Sequence, residues 1–458
     1  MTQRDLGILP NTVSRSPQSE TALVFGTLAA GLDQATAQQW LTTLQGHVEE
    51  AEHGTGAGEP DITMVVAFGA PFFARFPEHA ANTPKGLLAP PNLPPMQIPA
   101  ITADVVLHVT FTNESSLADF LKKLWATRPV LASMEVERGY ARRDNREVFG
   151  QLDGLRNLSS PQRRTTTRID LDVLPEEPTW LAGGCYGAYL KIEQNIDAWA
   201  AMGPEVHEQV IGRREADGSR LDLPAGSDPK TEGDFADPDC PMGTAHLRKT
   251  GPRGPVNDKT LIFRRGTPYA EEENGAMHFG LQFVSYQADL DDFDVVLNRW
   301  MLNTDFPARG AGQDALVANG LLTFLKGGFF VVVPHDDRFP AAGFFDPAPA
   351  GGNHRVGRIH IRKSVTDVNG NPVNAELGGF VFQMFDPATG YPIGEPATTT
   401  ASGHAVLEGA PLNKPVLVRE VATTRFEPHP DDEVTLTDRN YVHEVVNRLL
   451  AAASPYGG

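Results

Sequence analysis

The stretch from Gly243 to Tyr269 reads GTAHLRKTGPRGPVNDKTLIFRRGTPY, and the prediction for the rest of the chain starts from it. It carries His246, passes through a Gly/Pro-rich loop and enters a short apolar strand that ends at Arg264. A neutral imidazole is a good ligand for iron, zinc or copper, and a strand-borne arginine is a permanent cation that can stabilise an anion or polarise a peroxide. An isolated pair of this kind is more often a hydrogen-bonded loop histidine and a surface arginine, so the pair alone decides nothing.

Length and composition describe an acidic globular protein. The chain has 458 residues, of which 40% are hydrophobic and 21% charged, and its formal net charge is −19. The length allows about three domains. The negative charge argues against a nucleic acid or an anionic membrane surface as partner, because phosphate binding needs a basic surface. Two cysteines, Cys185 and Cys240, are too few for a disulfide framework or a cysteine-rich metal site.

The sequence contains neither a membrane span nor a targeting segment that we can recognise. No run approaches the ~20 apolar residues that a spanning helix needs. Residues 1–25 lack the apolar core of a secretory signal and a twin-arginine motif. The sequence as written therefore predicts a cytoplasmic protein, with export left open.

Two successive parts of the chain repeat one order of elements. In the first, the pattern of apolar residues predicts strands at 21–28, 62–68, 103–111 and 130–136, with helices that begin after Asp33 and after Asn113 or Ser115. In the second, it predicts strands at 184–193, 259–264, 279–288 and 329–333, with helices at 197–202, 204–210 and 290–302. The order β-α-β-β-α-β is the ferredoxin-like pattern, a four-stranded antiparallel sheet with two helices on one face.

We therefore expect an α+β fold of two ferredoxin-like modules, residues 1–148 and 149–340. A Pro/Gly/Ala-rich segment beginning AAGFFDPAPAGGN indicates a linker at 341–356. Beyond it, short strands separated by turns predict an all-β sandwich at 357–449.

A third residue raises the significance of the histidine and the arginine. Residues 149–157, between the modules, read FGQLDGLRN and hold Asp153 within a Gly-x-x-Asp-Gly pattern. Glycines on both sides allow close approach of the backbone to a flat group. The pattern alone is usually a plain turn. It is much rarer by chance when Ala-His-Leu-Arg follows at His246 and Ile-Phe-Arg-Arg-Gly-x-Pro-Tyr follows at Arg264.

On these residues the sequence resembles the dye-decolorising peroxidases, most closely their compact bacterial branch, called B or P type. The resemblance covers about residues 5–340, and it includes GILP at 7–10, VIGR at 210–213, GLQF at 280–283 and GGFF at 327–330. It implies two ferredoxin-like modules that bind haem b, hydrogen peroxide as the oxidant, and a separate electron donor such as a dye or a phenolic compound. The sequence does not indicate the physiological reductant or the oligomeric state, and a homo-oligomer is left open.

The resemblance also implies residue roles. His246 matches the histidine that ligates the haem iron, while Asp153 and Arg264 match the distal aspartate and arginine that act on peroxide. Asp314 falls where the family keeps a carboxylate that accepts the other N–H of the ligand histidine. Of the distal pair, we expect Arg264 to contribute more.

Three further residues are assigned to cofactor binding. Gly154 and Asn157 belong to the distal motif, and Arg213 matches a residue that pairs with a haem propionate, with a purely structural salt bridge as the alternative. The chain departs from the family pattern at Gln151, where an aromatic residue is common. It departs again at Gly266, where some relatives carry a polar side chain. The alternative functions are a haem- or iron-handling protein with little turnover and an interaction module with a vestigial haem pocket.

The C-terminal part resembles the B-type repeats of collagen-binding adhesins, which have a prealbumin-like fold. The similar stretches are KSVTDVNGNPV, GGFVFQMFDPATGYPI and SGHAVLEGAPLNKPVLVREV. Such repeats often contain an isopeptide bond between a lysine and an asparagine, promoted by a buried glutamate, and the matching residues here are Lys363, Asn447 and Glu420. An unlinked sandwich is the alternative. The resemblance implies assembly or a docking partner as the role of this part.

Overall fold

The computed structural model describes most of the chain. The described residues are 20–53, 62–93, 98–140, 144–153, 155, 158, 166–231, 240, 242–251, 260–334, 336, 338–346, 356–367, 377–387, 390–411, 414–421, 430–436 and 440–448. They divide into two compact units, one spanning 6–347 and one containing 348–458. In the part of the chain that is described, no helix is long and apolar enough to cross a membrane.

The first module has four strands and two main helices, as predicted. They are β1 (Glu20–Leu28), α1 (Gln34–His53), β2 (Ile62–Gly69), the short α2 (Ala70–Ala74), β3 (Val105–Phe111), α3 (Glu114–Trp125) and β4 (Leu131–Tyr140). Both expected caps are present, because the side chain of Asp33 accepts the N–H of Thr36 at 2.8 Å and that of Asn113 accepts the N–H of Ser115 at 2.9 Å. These bonds satisfy N–H groups that a helix leaves unpaired at its first turn.

The second module repeats this order with additions. Its elements are β5 (Cys185–Gln194), α4 (Ile196–Met202), α5 (Pro204–Ile211), α6 (His246–Thr250), β6 (Phe263–Arg264), β7 (Thr267–Glu273), β8 (Ala276–Gln287), α7 (Leu290–Asp294), α8 (Ala315–Ala318) and β9 (Leu322–Val332). Two differences from the prediction stand out. The strand expected at 259–264 forms only at its last two residues, since residues 260–262 are described and lie outside any strand. The helix expected at 290–302 changes after α7 into a π-helical segment, Val295–Met301.

The strands of both modules form one sheet, in the order β4-β1-β3-β2-β9-β5-β8-β6, with β7 paired to β8. Each module keeps the ferredoxin-like order within it, and the two join where β2 pairs antiparallel with β9. Side chains also connect strands that are not neighbours in this order. Nζ of Lys191, on β5, lies 2.8 Å from Oε2 of Glu137, on β4, and 2.6 Å from Oε1 of Glu271, on β7. The fold class predicted from the sequence, α+β with ferredoxin-like modules and a β-rich C-terminal part, is confirmed.

The start of the predicted linker belongs to the first unit. Residues Ala342–Phe345 form a short helix, α9, in which Phe344 is fully buried and packs against Phe73 with ring centroids 5.0 Å apart. The two phenylalanines lie between Pro-, Gly- and Ala-rich segments, and a run this short shows no periodicity that would reveal a helix. The described units divide after Pro347.

The C-terminal unit is a sandwich of two sheets. Its strands are β10 (Val356–Thr366), β11 (Val381–Phe385), β12 (Pro392–Thr398), β13 (His404–Pro411), β14 (Pro415–Val421), β15 (Asp432–Thr435) and β16 (Asn440–Arg448). The sheet orders are β13-β10-β16 and β12-β11-β14-β15. Ile359 and Ile361 from one sheet and Phe382 and Val418 from the other share one buried core. The all-β prediction is therefore confirmed, although β12 and β15 were not predicted.

Candidate active site

His246 begins the short helix α6 and is fixed by a carboxylate behind it. Its Nδ1 lies 2.8 Å from Oδ2 of Asp314, whose side chain is fully buried. The other carboxylate oxygen of Asp314 accepts the N–H of Leu316 at 2.9 Å and so caps α8. Because Nδ1 donates to Asp314, the nitrogen that remains for a metal is Nε2. The His246 side chain is 32% exposed.

Charged residues near His246 shift its pKa, and they include other candidate site residues. Burial alone would lower the pKa of His246, but the charge and hydrogen bond of Asp314 outweigh it and raise the pKa above its ordinary value. The charge of Arg264 acts to lower this pKa and that of Glu147 acts to raise it. Burial raises the pKa of Glu147, and the charge of Asp153 adds to this effect. The four charged groups therefore lie close enough to His246 or to one another to interact electrostatically.

A buried lysine supports the segment that leads to Asp314. Lys249, one turn after His246, is fully buried, and its Nζ donates to the carbonyls of Asn303, Phe306 and Gly312 at 2.7, 2.5 and 2.9 Å. Burial lowers the pKa of Lys249 to about 8. The backbone N–H of Asp314 donates to the carbonyl of Met301, at the end of the π-helical segment, at 2.9 Å. Sequence reasoning missed Lys249. The only signal in the sequence that could have indicated its role is its position one turn after His246.

Asp153 follows a tight turn. Arg146 and Leu152 pair as an antiparallel bridge, Gly150 adopts a φ of +84°, and the N–H of Asp153 donates to the carbonyl of Asn145 at 2.8 Å. The side chain of Asp153 is exposed. Gly154 and Asn157, the other two predicted residues of this motif, lie outside the described residues.

Arg264 ends the two-residue strand β6, opposite Ser285 of β8. Successive residues of a strand face opposite sides, so Phe263 is fully buried while Arg264 is exposed. At Gly266, a Cβ atom would lie 3.1 Å from the carbonyl oxygen of Gln282, and the backbone therefore leaves little room for the polar side chain that some relatives carry.

Arg213 follows α5 and is buried. Its Nη1 donates to the carbonyls of Gly218 and Pro229 at 2.7 and 2.9 Å. These hydrogen bonds to backbone carbonyls fasten the following loop. Its pairing with a haem propionate stays a prediction.

Comparison with known proteins shows what the chain is similar to. The family model described as Dyp-type peroxidase, C-terminal, matches residues 144–337, the stretch that holds Asp153, His246, Arg264 and Asp314. A DyP-type peroxidase from Cellulomonas bogoriensis has a similar structure, with a TM-score of 0.58 and 26% identity, over 72% of this chain and 93% of that one. These matches support a Dyp-type peroxidase.

Two further relatives match different shares of this chain. An aspartate variant of DypB from Rhodococcus jostii RHA1, in complex with heme, superposes with a TM-score of 0.55 at 18% identity, over 69% of this chain and 94% of that one, which shows the fold alone. The deferrochelatase of Escherichia coli O157:H7 is 27% identical over 206 residues, 43% of this chain and 47% of that protein. The chain thus matches about half the length of its curated relatives.

Proposed function

We propose that the protein is a haem b peroxidase that reduces hydrogen peroxide with electrons from a separate donor. The observation that carries this proposal is the His246–Asp314 pair, in which a buried carboxylate holds a partly exposed imidazole by Nδ1. This is the arrangement in which a histidine is oriented, and made more electron-rich, for a metal bound at Nε2. The family match over 144–337 supports the same function.

The donor set fits a haem iron. One neutral imidazole nitrogen is available, and the groups around it do not form a multidentate metal site, since the described residues contain no cluster of three or more His, Cys, Asp or Glu that could hold a metal ion. A haem held by one histidine would supply the redox chemistry for the reduction of peroxide. His246 would be the ligand, and Asp314 would fix its tautomer.

Asp153 and Arg264 take the roles of proton carrier and charge stabiliser. Heterolytic cleavage of hydrogen peroxide needs a proton moved from one oxygen to the other, which an exposed carboxylate such as Asp153 can carry directly or through a water. The guanidinium of Arg264 would stabilise negative charge on the departing oxygen. We expect Arg264 to contribute more, because it remains a cation throughout the reaction.

The experiment that tests this function is a visible spectrum of the haem-loaded protein before and after one equivalent of hydrogen peroxide, followed by turnover with a dye or phenolic donor. The proposal expects a rapid spectral change, and return to the starting spectrum as the donor is oxidised. A spectrum that peroxide does not alter would contradict it. The haem-free protein is the control.

A second function is favoured by the name of the curated relatives, deferrochelatase, which describes removal of iron from its chelate. A haem- or iron-handling protein would release iron and leave a fluorescent porphyrin, with little oxidation of a donor. Porphyrin fluorescence and donor oxidation measured on one sample separate the two functions.

For the C-terminal unit we propose a prealbumin-like repeat of the adhesin B type, with an isopeptide bond between Lys363 and Asn447. Nζ of Lys363 contacts Oδ1 of Asn447 and lies 3.0 Å from Oε2 of Glu420, while Nδ2 of Asn447 donates to Oε1 of Glu420 at 2.9 Å. All three side chains are buried. Burial lowers the pKa of Lys363, against the opposing effect of Glu420, and so favours the free amine.

The bond forms when Nζ attacks the side-chain carbonyl carbon of Asn447. The carbon–nitrogen bond to the amide NH2 breaks, and Glu420, which contacts both partners, carries the proton from the amine to the departing ammonia. Intact mass tests this reaction. The parent and an exposed-lysine control, Lys414→Met, should each be lighter than their composition by one ammonia, and Lys363→Met should not. A parent of full mass would refute the bond. Docking and assembly by this unit, and a cytoplasmic location, remain predictions.

A further inference from the structure

The turn that precedes Asp153 is closed by backbone bonds. Gly150 donates its N–H to the carbonyl of Glu147 at 2.9 Å, and Glu147 donates its own to the carbonyl of Gln151 at 3.0 Å. Asp153 leaves the turn at the point where its N–H meets the carbonyl of Asn145. The position of the Asp153 carboxylate therefore depends on how firmly residues 147–151 are held.

The carboxylate of Glu147 fills this turn from the inside. Oε2 accepts the N–H of Phe149 at 2.8 Å, and Oε1 accepts the N–H of Gln151 at 2.9 Å. Oε2 also accepts Nε2 of Gln194, the last residue of β5, at 2.8 Å. One side chain thus satisfies two backbone donors of the turn and ties the turn to the central strand of the second module.

The three donors require an acceptor that is a carboxylate. An ionised carboxylate only accepts hydrogen bonds, whereas a glutamine in its place would present an NH2 group to at least one N–H. Bonds to a charged acceptor are also roughly twice as strong as neutral ones. Burial raises the pKa of Glu147, whereas the hydrogen bonds from Phe149, Gln194 and Gln151 act to lower it, because they favour the ionised carboxylate.

Two other side chains also hold the turn, since Nη1 of Arg146 donates to the carbonyl of Gly150 at 2.6 Å and Nε1 of Trp199 donates to that of Phe149 at 3.0 Å. Both are donors and cannot accept the N–H groups that Glu147 accepts. Gln151 and Gln194 are 4% and 8% exposed, and among the described residues Nε2 of Gln151 and Oε1 of Gln194 have no hydrogen-bond partner in the protein. Gln194 therefore acts on the turn through Glu147, and Nε2 of Gln151 adds no bond to it.

We infer that Glu147 is a positioning residue for Asp153: its carboxylate holds the 147–151 turn against β5 and so fixes where Asp153 meets peroxide. The inference rests on the proposed peroxidase function and adds to it a residue that the sequence pattern did not single out.

The first test is Glu147→Gln in the haem-loaded full chain, with Glu205→Gln as the matched control. Glu205 is exposed in the first turn of α5 and loses the same charge outside the 147–151 turn. We expect the second-order rate constant for hydrogen peroxide to fall about tenfold to a hundredfold in Glu147→Gln. Haem affinity and the control should match the parent. An unchanged rate constant would overturn the inference.

A double variant distinguishes positioning from general damage. If Glu147 acts by placing Asp153, then adding Glu147→Gln to Asp153→Asn should lower the rate constant no further, because residues that act as a unit are not additive. Full additivity of the two effects would show that Glu147 does not act through Asp153.

Amide hydrogen exchange of the haem-free protein supplies a readout that does not depend on activity. The backbone N–H groups of Phe149 and Gln151 should exchange faster in Glu147→Gln than in the parent. The increase should be smaller in Gln194→Met, which keeps the carboxylate of Glu147. Unchanged exchange in both variants would overturn the inference even if the parent reacts with peroxide. If exchange is faster in the variants but the haem-loaded parent does not react with peroxide, the role of Glu147 in holding the turn is retained and the proposed function is rejected.

Discussion

His246 is fixed by a direct hydrogen bond to a buried carboxylate, whereas Asp153 follows a turn, Arg264 ends a strand, and both carry exposed side chains. The carboxylate that His246 contacts, Asp314, is fully buried, and so is Lys249, which donates to carbonyls of the segment that leads to Asp314. A metal ligand gains from rigid orientation, while groups that handle a small substrate must be reachable. Because of this difference, we expect substitutions at His246 and Asp314 to have other effects than substitutions at Asp153 and Arg264.

The His246 side should show the greatest loss. His246→Ala removes the nitrogen proposed to bind iron, and we expect haem to be lost or wrongly ligated. Haem titration followed in the Soret region measures this. His278→Ala, on the β7–β8 hairpin, is the control and should bind haem like the parent. Equal haem affinity in the two variants would mean that iron is held elsewhere.

Arg264→Leu should keep haem and slow the reaction with peroxide. Removing one preorganised group that stabilises developing charge costs about a hundredfold to a thousandfold in rate. Stopped-flow mixing with peroxide measures it, and Arg358→Leu, an exposed strand arginine in the C-terminal unit, is the control. If Asp153→Asn lowers the rate more than Arg264→Leu, the order of importance that we propose is reversed.

The carboxylate behind His246 should have an intermediate effect. Asp314→Asn keeps the shape of the side chain but weakens its acceptor, and substitutions next to a metal ligand typically cost about tenfold to a hundredfold in metal affinity or activity. Haem affinity and the rate with peroxide should both fall, whereas Arg264→Leu affects the rate alone. An Asp314→Asn variant with normal haem affinity would show that the hydrogen bond does not orient His246 for iron.

The same pair predicts a small pH effect on the haem-free protein. Because Asp314 raises the pKa of His246 in the folded state, the protonated pair contributes stability that is fully present below the unfolded pKa. This contribution is lost as the pH rises through the raised folded value. Denaturant unfolding at about pH 6 and about pH 9 should show the decrease, and Asp314→Asn should reduce it. An equal decrease in both proteins would assign it to other groups.

The C-terminal unit should not affect the chemistry. A chain truncated after Pro347 keeps α9 and its buried Phe344, and we expect its turnover per haem to equal that of the full chain. A chain truncated after Pro340 would lack the buried residues of α9, and comparing the two chains separates an effect of that core from an effect of the sandwich. Loss of turnover in the longer version would give the sandwich a role in catalysis.

The sequence predicted the parts of this account that leave periodic or chemical signals. Alternating apolar residues located the strands of both modules, and the capping side chains of Asp33 and Asn113 marked their helices. The residue types at His246, Asp153 and Arg264 predicted the candidate site, but their roles still await a measurement. The pairing of His246 with Asp314 was expected from the resemblance, and the structure brings the two side chains together.

What the sequence did not reveal depends on contacts between distant segments. Glu147 and Lys249 look like ordinary charged residues, and only the fold shows that one accepts three N–H groups and the other donates to three carbonyls. The change from α7 to a π-helical segment follows no propensity in VVLNRWM. Arg213 was expected to pair with a haem propionate. Its bonds to the carbonyls of Gly218 and Pro229 could not be predicted from the sequence, because they depend on how the loop folds around it.

The most direct measurement is an experimental structure of the haem-loaded protein. The account predicts that Nε2 of His246 binds the iron and that Asp153 and Arg264 lie together on the opposite face of the porphyrin. A haem bound through another residue, or Asp153 and Arg264 away from that face, would contradict it.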